Sequence, residues 1–92
     1  MKIIVENFNE ALELAEETAR IGKEYCWREM SRNEIEALAD CVAEVGYKGD
    51  LRQFTDNYLI NADRVYSPTE EQKEDALFCY EDGGESVAVM SF

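Results

Sequence analysis

Three times in this chain a side chain able to cap a helix stands three positions ahead of a glutamate: Asn7-Phe8-Asn9-Glu10, Ser31-Arg32-Asn33-Glu34 and Ser67-Pro68-Thr69-Glu70. In such a box the first side chain accepts from an orphan N–H of the opening turn, and the glutamate reaches back to the cap. Pro68 reinforces the third box, because proline at the first helical position lacks an N–H that would have no partner there. Asp50-Leu51-Arg52-Gln53 is a fourth, weaker version. The chain is thereby divided into three to four helices.

Apolar spacing agrees with these starts. Phe8, Ala11, Leu12, Ala15 and Ala19 define one helical face, with Gly22 as the expected stop. Ile35, Leu38, Ala39 and Val42 define a second, ending near Gly46. Ala76, Leu77 and Tyr80 form a shorter third face, closed by Gly83-Gly84. After Asp50 the helical spacing of Leu51, Phe54, Tyr58, Ala62 and Val65 competes with a strand over Tyr58-Leu59-Ile60. A helix is expected for the first half of that stretch, and residues 60–66 stay open.

Lys2 to Glu6 is β-branched, and Ser86 to Phe92 alternates after a Gly-Gly turn, so both ends of the chain are expected as strands. Pairing them in one small sheet, with Tyr25 to Met30 as a third strand, avoids two lone edges. The expected fold is α+β: a single domain over residues 1–92, its helices packed on a small sheet that includes the N- and C-terminal strands.

Charge narrows the function. There are 21 Asp and Glu against nine Lys and Arg, no histidine, and a formal net charge of −12 in 92 residues. The apolar fraction of 46%, with one Trp, five Tyr and four Phe, excludes an acidic disordered chain. Phosphate and anionic lipid would both be repelled, so neither direct nucleic-acid binding nor membrane binding is expected. No apolar run approaches the roughly eighteen residues of a membrane span, and the run after Met1 is too short for a signal peptide. Cys26, Cys41 and Cys79 are odd in number and widely spaced, which suits a reducing cytoplasm.

Catalytic patterns are missing. Without histidine the commonest general base and metal ligand are absent. No Lys follows a Ser at the spacing that could replace it. A zinc site would need the three cysteines and a carboxylate to converge. Asp82-Gly83-Gly84-Glu85 lacks the alternating ligands of a calcium loop and reads as a turn. No phosphate-cradling glycine motif occurs. The expectation is a non-enzyme with no cofactor and no metal.

The acids fall in rows: Glu6, Glu10, Glu13 and Glu17; Glu36, Asp40 and Glu44; Glu70, Glu71, Glu74 and Asp75; then Glu81, Asp82 and Glu85. Like charges at such helical steps oppose the helix by about 0.2–0.5 kcal/mol per pair. An amphipathic helix needs a polar outer face, and acid in its first turn suits the macrodipole, so solvation alone accounts for some of this. Alternatively, the rows imitate a phosphate backbone, which in a duplex carries one charge per roughly 1.7 Å. Among the aromatics, Tyr58 and Tyr66 are expected to be partly exposed and available to a partner.

In size, charge, single domain, carboxylate rows and lack of catalytic residues, the chain resembles the small phage-encoded inhibitors of host defence, the anti-CRISPR and anti-restriction proteins. Several of those families act as DNA mimics. The resemblance implies an inhibitor, monomeric or homodimeric, that binds the basic nucleic-acid-binding surface of a defence nuclease complex. Glu36, Asp40, Glu44, Glu70, Glu71, Glu74 and Asp75 would supply the charge, with Tyr58 and Tyr66 as anchors. Two alternatives remain: an immunity or antitoxin-type protein against a basic nuclease toxin, and a non-catalytic adapter whose acidity is only solvation.

Overall fold

A computed structural model of the chain describes residues 2–25 and 29–90. The order of elements is β1 (Lys2–Val5), α1 (Phe8–Tyr25), α2 (Arg32–Val45), β2 (Tyr47–Asp50), α3 (Leu51–Thr55), β3 (Asp63–Tyr66), α4 (Glu70–Asp75), β4 (Phe78–Asp82) and β5 (Glu85–Met90). A π-helical turn, Asp56–Ile60, continues α3. The expected α+β class holds, with four helices and two small antiparallel sheets among the described residues.

Capping works largely as the spacing predicts. Asn7 Oδ1 accepts from the Glu10 N–H at 3.0 Å, and Glu10 Oε1 accepts from the Glu6 N–H at 3.1 Å. Ser31 Oγ accepts from the Glu34 N–H at 3.2 Å, and Gly46 closes α2 at φ 76°. Asp50 caps α3 through the Arg52 N–H. The third box is displaced by two residues. Thr69 and Gln72 form it reciprocally, at 3.2 and 2.9 Å. Ser67 instead extends the β3–β5 pairing, its N–H donating to Ser86 O at 2.9 Å.

Gly22 does not stop α1; it is buried within the helix, where packing outweighs a helix penalty of roughly 1 kcal/mol. The buried stripe is Ala11, Leu14, Ala15, Thr18 and Gly22, rotated from the expected face, so Phe8 is exposed and Leu12 and Ala19 are half-buried. Against it packs the α2 stripe of Leu38, Ala39 and Val42, as the periodicity predicts. Small Ala11, Ala15 and Ala39, all fully buried, let the two helices approach closely.

The terminal strands do not pair with each other. β1 pairs with β2, from Lys2↔Asp50 to Val5↔Tyr47. β5 lies between β3 and β4 in the other sheet. Hairpin geometry decides this: Gly83 and Gly84 adopt φ 61° and 83°, the two positive values that a tight two-residue turn needs. That turn makes β4 from residues 78–82, which helical spacing had assigned to the third helix, and Tyr80 is therefore a buried strand residue. Of the proposed third strand, Tyr25 ends α1, Glu29 and Met30 belong to no strand, and Cys26, Trp27 and Arg28 lie outside the described residues. So do Ser91 and Phe92.

Val87 and Val89 of β5 face the core with Phe78 and Tyr80. Phe54 is fully buried. It meets Tyr47 edge-on at 4.9 Å and stacks on Tyr58 at 4.6 Å. The open stretch resolves as the π turn, closed by Asn61 N–H to Asp56 O at 2.8 Å, followed by β3. Among the described residues no helix is long and apolar enough to cross a membrane.

Candidate functional site

Two contacts seat α2 along β4. Asn33 Nδ2 donates to Glu81 O at 2.8 Å, and Cys41 Sγ donates to Leu77 O at 3.2 Å. The helix therefore runs antiparallel to the strand, and Glu36, Asp40 and Glu44 are left exposed along it. Leu77 follows α4 by two residues, and α4 itself lies against β5. At the opposite end, Glu81, Asp82 and Glu85 surround the glycine turn near Asn33. The acids of α2 and the β4–β5 turn follow one seam, and those of α4 stand on a separate short helix.

Compensation along that seam is uneven. Arg32 stands 3.8 Å from Glu36 but is closer, at 2.9 Å, to Glu16 of α1. Lys73 lies 3.5 Å from Glu70. Asp40, Glu44, Glu71, Glu74 and Asp75 form no ion pair among the described residues. All four acids of α4 are exposed, and that helix buries none of its side chains. The α1 row is elsewhere, with Glu17 paired to Arg20, whose guanidinium holds its carboxyl below the usual range.

The two aromatics chosen from the sequence are not brought together. Tyr66 on β3 is 61% exposed. Tyr58 is half-buried against Phe54, and burial, then the nearby Cys41 and Tyr47, push its hydroxyl pKa up. Cys41 is half-buried too, and burial followed by Glu44 raises its thiol pKa. Cys79 is exposed, because alternation along β4 turns Phe78 and Tyr80 inward and Cys79 out. Cys26 lies outside the described residues. Among the described residues no group of His, Cys, Asp or Glu could hold a metal.

Beneath the seam is a pair that capping logic concealed. Glu34, 2% exposed, accepts from Arg64 Nε at 3.0 Å and from its terminal nitrogen at 2.5 Å. Arg64 also donates to Ala62 O at 3.1 Å. The signal was periodicity: Glu34, Leu38 and Val42 follow one i, i+4 line down the buried face of α2. The pair ties the helix bearing the Glu36 row to the three-stranded sheet.

No protein-family model, curated protein or solved structure matches the chain.

Proposed function

We propose that the chain is a non-catalytic inhibitor that occupies the basic nucleic-acid-binding surface of a defence nuclease complex, of the anti-CRISPR or anti-restriction kind. The supporting observation is α4: four of its six residues are acidic and none is buried. A helix that contributes nothing to the core, and carries like charges at helical steps, is poorly explained by stability. Its carboxylates instead form an exposed negative surface, and Glu36, Asp40 and Glu44 of α2 expose a further row. Such a surface would raise the association rate with a basic groove and exclude the phosphate ligand from it.

The test measures duplex-DNA binding by purified CRISPR and restriction nuclease complexes with and without the chain. Inhibition of at least one, relieved by added salt and by Glu36→Lys/Asp40→Lys/Glu44→Lys with unchanged circular dichroism, is the expected result. Capture of a nucleic-acid enzyme that survives charge reversal and high salt would remove the electrostatic basis of the proposal. If the triple variant leaves every partner's binding unchanged, the chain is an adapter.

A further inference from the structure

We infer that the outer edge of β3 is a dimer interface, where β3 of a second copy pairs antiparallel about a two-fold axis at Val65. Pairing within the sheet leaves that edge open. Ser67 N–H donates to Ser86 O, and Gly83-Gly84 closes a two-residue hairpin between Asp82 and Glu85. Alternation from those two fixed points turns the backbone groups of Arg64 and Tyr66 away from β5. These outward groups have no partner among the described residues. The Arg64 side chain is only 5% exposed while the residue as a whole is half-buried, so what it shows to solvent is backbone. The far edge of the same sheet is closed: α2 lies along β4, and its Asn33 and Cys41 donate to Glu81 O and Leu77 O. An edge of unpaired N–H and C=O groups is a template for a further strand.

The edge itself selects a second copy. Tyr80, Val87 and Tyr66 stand in one row across the core face of the sheet, yet Tyr80 and Val87 are buried and Tyr66 is 61% exposed. An identical edge completes a row cut off in this way. With the axis at Val65, Tyr66 of each copy lies opposite Arg64 of the other, and the core face runs on unbroken. That register uses every outward backbone group of both residues and sets Val65 against its own copy. Asp63 falls opposite Ser67, so no carboxylate meets another. Charge agrees: each copy carries a net −12, but residues 62–68 hold one acid, Asp63, and one base, Arg64. Ser67, at φ 51°, and Pro68, which has no N–H, end the strand and hold the pairing to this short register. The assignment rests on none of the acids of α2 and α4.

The experiment is sedimentation equilibrium of the whole chain over a concentration series at low and high salt, with variants probing the edge. Self-association that tightens with salt is expected, because screening relieves the repulsion between two like-charged copies. Tyr66→Lys, at an exposed position, should weaken it about tenfold with unchanged circular dichroism, since each lysine faces Arg64 of the other copy. Val65→Cys, in a background with Cys26→Ser and Cys79→Ser, should form a disulfide-linked dimer under mild oxidation. Facing residues of a non-hydrogen-bonded antiparallel pair stand about 4.5 Å apart at Cα, within disulfide reach. Asp63→Cys in the same background should not cross-link, since the two copies of that position lie roughly 13 Å apart along the strands. A chain monomeric up to millimolar concentration leaves the edge to a foreign strand and overturns the assignment. So does a dimer that Tyr66→Lys leaves intact, one that cross-links equally at both positions, or one that salt dissociates.

Discussion

Arg64 of β3 and Glu34 of α2 meet inside the protein, their side chains 5% and 2% exposed, with two guanidinium nitrogens on one carboxylate oxygen. Charges removed from water in this way are tolerated because they are matched, and removing one leaves the other unsatisfied. Glu34→Gln should lower unfolding stability by about 3–5 kcal/mol in a denaturant titration, since Arg64 keeps its charge and loses its counter-ion. Glu34→Leu with Arg64→Met should recover most of that loss. A single variant as stable as the parent would show that the pair contributes nothing.

Asp40 offers the opposite experiment. It lies one helical step from both Glu36 and Glu44, and no cation pairs with it among the described residues. Asp40→Lys should raise stability by about 0.5 kcal/mol at low ionic strength, because two like-charge steps become attractive. The gain should vanish in molar salt. A loss of stability would mean that Asp40 is already satisfied where it stands.

The cysteines should separate by reactivity. Cys41 donates to a backbone carbonyl, and its thiol pKa is raised by burial and by Glu44, so little thiolate forms near neutral pH. Cys79 is exposed. Timed alkylation at pH 8, followed by peptide mass mapping, should label Cys79 well before Cys41. Raising the pH through the alkaline range should accelerate Cys41. Equal rates would contradict the burial of Cys41.

Thr18 carries a buried hydroxyl with no hydrogen-bond partner among the described residues. Thr18→Val keeps the shape and removes the unsatisfied group, so stability should rise by about 1 kcal/mol or stay level. Clear destabilisation in a denaturant titration would reveal a partner for the hydroxyl.

Local chemistry made part of this molecule legible. Ser31 and Gly46 bound α2 in the sequence as they do in the structure, because a cap and a left-handed stop act within a few residues of themselves. The acidic rows were equally plain, since exposed positions on α2 and α4 follow from helical spacing alone. Where two local patterns competed, only partners distant in sequence decided. Leu77 and Tyr80 kept a helical spacing until the Gly83–Gly84 turn laid Tyr80 beside Val87 in a strand.

Glu34 marks the boundary most clearly. Its place three residues after Ser31 and its helical conformation were determined by the sequence itself. Whether its carboxylate returned to the cap or entered the core depended on Arg64, thirty residues away. A buried charge is stable only where the fold supplies its counter-ion, and short-range sequence cannot supply it.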